Sequence, residues 1–225
     1  MGELAASIAH EVNQPLASLI NSATACLRWL DAQRLEEARR SASRVIADGH
    51  LASDIIGRIR ALAKKAPPHK DRIDINETIL EVIALARGEI QRNGITLETQ
   101  LSEHLPVVLA DRVQLQQVIL NLMVNAIEAM NGVGDGLRVL LLRSGADESR
   151  HVVISVQDSG LGLDPKGLEH LFDAFYTTKP HGLGMGLSIS RSIIDAHGGR
   201  LWATANVLRG ATFQFTLPIG GEKAA

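Results

Sequence analysis

His10 and Glu11 stand side by side in AHEVNQPL (9–16), little more than one turn ahead of Pro15. Apolar residues recur around them at steps of three and four, which predicts one helix running through the proline. An interior proline costs that helix ~3 kcal/mol and leaves the Glu11 carbonyl without its usual donor. At about 100° per residue, His10 lies some 200° from Ile8 and Val12 on the apolar stripe. It is therefore turned to solvent, where a neutral imidazole can act as base or nucleophile and Glu11 can set its tautomer or take its proton. An exposed helical histidine is ordinarily a plain surface residue. The proline beside it, which loosens and bends that turn, gives this one a functional reading.

A second constellation lies in DRVQLQQVILNLMVNAIEAM (111–130). Gln114, Gln117, Asn121, Asn125 and Glu128 follow at steps of three and four and form one polar stripe. Solvated faces are usually rich in Glu, Lys and Arg, and asparagine is a poor mid-helix residue. Two asparagines one turn apart predict a face lining a polar pocket, with amide oxygens suited to Mg²⁺ held beside phosphates. In VVISVQDSGLGL (152–163), Val152, Ile154, Val156 and Asp158 share one strand face. Asp158 thus enters at the core edge, where its carboxylate needs donors such as the amino group of adenine. Gly160 and Gly162 let the backbone approach a flat ligand. In TTKPHGLGMGLS (177–188), Gly182, Gly184 and Gly186 run into a helix N-terminus, whose free amides and dipole favour phosphate. No βαβ unit precedes them, which excludes a dinucleotide fold of the Rossmann type. Lys179 stands upstream, on a lid of about residues 164–183, as a movable cation for terminal phosphates.

Two helices over about residues 3–64 must carry the histidine, as a hairpin turning near Asp31 to Arg34. One stripe runs from Leu4 through Leu30 and another from Leu35 through Ala63. Two helices bury too little surface alone, so the hairpin is expected to pair with a second copy as a four-helix bundle. The first helix starts without a cap residue, which suggests the C-terminal part of a longer protein. KKAPPHKDR (64–72) reads as a linker, giving units 1–65 and 73–221 joined by 66–72. Beyond it Asn76 is expected to cap a helix to Arg92, with Gly94 as its stop. A strand (ITLETQL), VVLAD leading to a helix capped by Asp111, a hairpin (LRVLLLR and HVVISVQD), a helix over 186–197 and two closing strands complete an α+β two-layer sandwich.

The chain has 225 residues and a formal charge of −2, which gives no reason to expect nucleic acid or an anionic membrane. Aromatics are only 3%, too few for base-stacking platforms. No run reaches the ~20 apolar residues of a membrane span. The single Cys26 suits a reducing cytoplasm and a helix-packing role, and the scattered histidines show no zinc spacing.

Taken in order, these segments resemble the catalytic core of two-component sensor histidine kinases, with wording closest to the FixL-like subgroup. AHEVNQPL resembles the family's H box, NLMVNAIEAM its N box, DSGLG its G1 box, FDAFYTTK its F box and GLGMGL its G2 box. The resemblance implies a dimerising, histidine-phosphotransfer hairpin followed by an ATP-binding domain of the GHKL (Bergerat) fold. It implies His10 as phospho-acceptor with Glu11 as base or orienting partner, and Asn125 as Mg²⁺ ligand with Asn121 on the phosphate side. It places Asp158 and Thr212 at adenine, and Gly160, Gly162, Tyr176, Thr178, Lys179, Gly182, Gly184, Met185 and Gly186 around the nucleotide. The implied cofactors are ATP and Mg²⁺, and the implied partners a second copy and the receiver domain of a response regulator. Two positions depart from the common pattern: Glu128, three residues after Asn125, stands where many members carry lysine or arginine, and Gln14 stands where many carry threonine or asparagine. A GHKL-type ATPase and a kinase-inactive dimeric scaffold are the competing readings.

Overall fold

In the computed structural model the described residues are 2–46, 48–49, 70–131, 133, 136–164, 167–178 and 184–220, with side chains from residue 16 onward. They fall in two compact units, Met1–Lys65 and Ala66–Ala225.

In the first unit α1 (Gly2–Asp31) is one uninterrupted helix through Pro15. It ends as Gln33 takes a left-handed φ of 54°, while Arg34 N–H donates to the Trp29 carbonyl and Gln33 N–H to the Leu30 carbonyl. This is a Schellman turn with glutamine in the usual glycine place. The next helix, α2, is described over residues 35–46 and 48–49. Cys26 Sγ donates to the Ala38 carbonyl at 3.3 Å, Ser18 Oγ to Asp48 Oδ2 at 2.8 Å, and Gly49 lies beside Leu19. Cys26 therefore packs between the helices, as expected.

The single apolar stripe of the sequence resolves into two faces of α1. Leu19 and Cys26 meet α2, whereas Leu16, Ile20, Leu27 and Leu30 remain exposed. At ~100° per residue those four fall within an arc of roughly 80°, adjacent to the α2 face. A hairpin with a second apolar face is built to pack against something more.

The second unit opens with β1 (Asp71–Ile73), which pairs antiparallel with β3 (Val108–Ala110). Residues 71 and 72, read as linker, therefore belong to a strand; three residues are too few to show periodicity. Asp74, not Asn76, caps α3 (Ile75–Arg92): its carboxylate accepts from the Asn76 and Glu77 amides. Asn76 instead donates to the Ser102 carbonyl and accepts from Ser144 Oγ. The main sheet has the order β2–β4–β5–β7–β6, from β2 (Thr96–Leu101), β4 (Val139–Ala146), β5 (His151–Asp158), β6 (Arg200–Ala205) and β7 (Ala211–Pro218). Only the β2–β4 pair is parallel. Its connection runs through β3 and α4 (Arg112–Asn131), as parallel neighbours demand.

Helices α3, α4 and α5 (Gly186–Ala196) make the second layer. Leu115, Ile119, Leu122, Met123 and Met130 of α4 are fully buried against Leu140, Leu142, Ile154, Val156 and Phe215 of the sheet. Each such side chain contributes roughly 1.5–3 kcal/mol. His197 at the end of α5 is buried; its Nε2 accepts from the Asp111 amide at 2.9 Å and its Nδ1–H donates to Ile193 O at 2.8 Å. That neutral tautomer joins the end of α5 to the cap of α4, whose Asp111 carboxylate accepts from Gln114 N–H. No described helix is long and apolar enough to cross a membrane. This α+β arrangement is the one expected from the sequence.

Candidate nucleotide site

The site gathers where β5 ends beside α4. Val152, Ile154 and Val156 are fully buried and set the face on which Asp158 follows, itself only 3% exposed. The amides of Gly160 and Ala211 donate to Asp158 Oδ1 at 2.7 and 3.4 Å. Among the described residues no donor reaches Oδ2. Burial pushes the Asp158 carboxyl above its ordinary value, and the two amides pull against that rise without cancelling it. A carboxylate oxygen held at a core edge with no protein donor is an acceptor kept for a ligand that brings its own protons.

The polar stripe of α4 forms the next wall. Gln114, Gln117, Asn121 and Asn125 are half-buried, and Glu128 is exposed. Asn121 Nδ2 donates to Ser190 Oγ at 3.0 Å, and its Oδ1 lies so close to Gly186 that a Cβ there would overlap it. Asn121 thus seats the start of α5 on α4. That start has no side-chain cap: the Met185 side chain before it makes no hydrogen bond to the first turn. The first-turn amides are the free donors an anion can use. Gly184, at φ 62°, turns the chain into α5 where a Cβ would lie 2.5 Å from the Phe175 carbonyl carbon and the Tyr176 oxygen. Only glycine fits both the angle and the approach. Phe175 N–H closes this contact on the Gly184 carbonyl at 3.0 Å.

Contacts therefore link five segments of the sequence. Gly160 lies against Ala129 of α4, Gly162 (φ 85°) against Gly210, Gly186 against Asn121, and Gly184 against Phe175 and Tyr176. Such an arrangement, with an acceptor at one end and free helix amides at the other, fits a purine nucleotide in composition and polarity. Among the described residues no group of three or more His, Cys, Asp or Glu could hold a metal. Amide oxygens with substrate phosphates are the donor set left for Mg²⁺, and that ion keeps waters and phosphates as ligands readily.

The comparisons with known proteins agree with this geometry. Residues 110–221 match the model of histidine kinase-, DNA gyrase B- and HSP90-like ATPases, and residues 1–68 match that of the His Kinase A (phospho-acceptor) domain. The catalytic domain of the histidine kinase ThkA is 35% identical over 67% of this chain and 95% of its own, with a TM-score of 0.59. The chain belongs to the histidine kinase family. Sensor histidine kinase TmoS of Ectopseudomonas mendocina is 38% identical over 97% of this chain and 23% of its own length. Sensor protein FixL of Bradyrhizobium diazoefficiens is 38% identical over 99% of this chain and 44% of its own. The chain thus spans less than half the length of these curated relatives. ThkA in complex with the response regulator protein TrrA is 28% identical, covering 99% of this chain and 63% of its own, with a TM-score of 0.76.

Against the expected site residues, the chain brings together Asn121, Asp158, Gly160, Gly162, Gly184 and Gly186 through the contacts above, with Asn125 one turn along α4 from Asn121 and Met185 just before α5. Tyr176 is half-buried, its hydroxyl against Gly167, and Thr178 is exposed. His10 and Glu11 lie on α1, with side chains outside the described residues, as are Lys179 and Gly182. Thr212 is a correction. The β5–β7 register pairs Thr212 with Gln157 and Phe213 with Val156. Directly opposed residues share a face, so Thr212 lies on the side of the sheet away from Asp158, and its hydroxyl donates to Asn206 Oδ1 at 2.6 Å. The β7 group that reaches Asp158 is the Ala211 amide. A main-chain donor carries no residue type, and that contact left no signal in the sequence.

Proposed function

We propose that this chain is the core of an ATP-dependent protein-histidine kinase. It phosphorylates His10 and passes the phosphoryl group to an aspartate of a response regulator. The observation that carries the reading is Asp158: a buried carboxylate with one oxygen satisfied by amides and the other without a donor among the described residues, as the 6-amino group of adenine requires. The α5 amides would hold phosphate oxygens, and Lys179 would offset charge at the terminal phosphate. Mg²⁺, held through Asn125, would neutralise charge on the phosphates as the phosphoryl group leaves. A ring nitrogen of neutral His10 bonds to the γ-phosphorus as the bond to the β–γ bridging oxygen breaks and ADP departs. Glu11 orients the imidazole and accepts its displaced proton. The exposed face of α1 supports a homodimer as the working form, with the regulator docking beside His10. A lone cysteine that forms no internal disulfide supports a cytoplasmic setting.

The test is a time course with γ-labelled ATP and Mg²⁺ on wild type and His10→Gln. The expected product is acid-labile, alkali-stable label that is absent from the variant and moves to a receiver domain. Steady phosphate release without label on the protein would replace this reading with a GHKL-type ATPase. Nucleotide binding with neither label nor release would replace it with a kinase-inactive scaffold.

A further inference from the structure

The geometry points to Asn206, on the turn between β6 and β7, as a positioning residue for base recognition, with Thr212 acting through Asn206 rather than on the nucleotide. This rests on the reading of Asp158 as the adenine acceptor. Asn206 Nδ2 donates to the main-chain carbonyl of Asp158 at 3.0 Å and to that of Arg209 at 3.3 Å. Two carbonyls at one end of the amide fix that end as NH₂, and Oδ1 then faces Thr212, whose hydroxyl donates to it at 2.6 Å. Asn206 N–H closes the turn on the Gly210 carbonyl at 3.0 Å. Gly210 has φ 86°, and any Cβ there would overlap the Asp158 carbonyl oxygen. The end of β5 is therefore clamped between the Asn206 amide and the bare Cα of Gly210.

The turn has little other reason to be held so firmly. Val207 and Leu208 at its tip are 102% and 99% exposed and add nothing to the core. What the clamp fixes is the main chain of the residue whose side chain meets the base. Hydrogen bonds weaken steeply outside a few tenths of an ångström, so a small shift of Asp158 costs the base contact while leaving the phosphate side in place. Thr212, on the outer face, holds the Oδ1 end of that amide in place.

The experiment is calorimetric binding of ADP and of inosine diphosphate, with no turnover. The two ligands share their phosphates and differ in the base, where an amino donor becomes an oxo acceptor. Asn206→Ala is expected to weaken ADP about tenfold, the size of one charge-assisted hydrogen bond, and to leave the inosine nucleotide within about twofold. Thr212→Val should show part of that loss, Thr212→Ser none, and Thr212→Val added to Asn206→Ala no more than Asn206→Ala alone. Equal weakening of both ligands, or unchanged ADP affinity, would overturn the assignment. Should Asn206→Ala fail to fold, the Thr212→Val and Thr212→Ser pair decides alone: equal ADP affinity in the two overturns it. Asp158→Asn separates the underlying reading: an unchanged ADP-to-inosine preference in that variant refutes adenine recognition itself, whereas a collapsed preference beside an inert Asn206→Ala refutes only the clamp.

Discussion

Replacing Leu27 by glutamate tests whether the exposed face of α1 is a seam between two chains. Leu27 is 64% exposed in the single chain, flanked on the same arc by Leu16, Ile20 and Leu30. Completing the burial of a leucine from that state is worth roughly two-thirds of 1.5–3 kcal/mol, or about 1–2 kcal/mol. In a two-fold dimer every substitution occurs twice, so lost burial alone costs about 2–4 kcal/mol. Burying two carboxylates in an apolar seam adds to this. At 1.4 kcal/mol per tenfold, the dimer dissociation constant rises by roughly 30-fold to 1,000-fold. In an isolated chain the same change is nearly neutral, since leucine and glutamate are both strong helix formers and the site is on the surface. Sedimentation equilibrium over a concentration series, with ADP binding followed in parallel, separates the cases. The expected result is a monomeric Leu27→Glu that still binds ADP. Asn21→Glu, six residues earlier and about 120° round the helix, should dimerise like wild type. A Leu27→Glu variant with wild-type dimerisation would show that this face is not the seam.

Two further outcomes follow from the nucleotide site. Burial raises the Asp158 carboxyl above 3.8, so the folded chain binds this proton more tightly than the unfolded one. Its contribution to stability is complete below 3.8 and is lost as pH rises through the raised folded value. Base binding has the opposite sign, because the amino group donates more strongly to the ionised carboxylate than to the neutral acid: ADP affinity should rise through the same window, with proton release. Calorimetry in buffers of different ionisation enthalpy measures that proton; no release in wild type, or the same release in Asp158→Asn, would refute the linkage. Gly186→Ala forces a methyl group onto Asn121 Oδ1, an overpacking that costs about 1–3 kcal/mol. Thermal melting should show this loss, and Asn121→Ala should recover part of it. Strictly additive effects of the two substitutions would mean that the contact is not what strains the variant.

Much of this architecture was legible because the relevant periods are long. The α4 stripe and the β5 alternation each repeat over enough residues to fix a face, and both faces stand where the sequence put them. Asp111 and Gly94 likewise act at helix ends as their chemistry requires: Asp111 accepts from Gln114 N–H, and Gly94 takes φ 60° after Asn93. Short features were not legible. β1 has three residues, and Asp74 and Asn76 are both competent caps, so the choice fell to tertiary contacts that draw Asn76 to Ser102 and Ser144. The α1 stripe hid a division between two neighbouring faces, because a 3.6-residue period marks what is apolar but not what it meets.

Thr212 shows the sharpest limit of motif matching. A shared motif fixes which residues lie near a site along the chain, but the pleat decides which of two adjacent residues faces it. Here Ala211 falls on the face of Asp158 and offers only its amide, while Thr212 falls on the opposite face beside Gln157. Its hydroxyl still reaches the site at one remove, because Asn206 spans from Thr212 to the Asp158 main chain. Asn206 had no motif to mark it, yet it makes three side-chain hydrogen bonds at a turn whose other side chains contribute nothing to the core. A residue so committed in so exposed a turn is explained by what it holds in place. That is the physical ground for separating the group that touches the base from the groups that aim it.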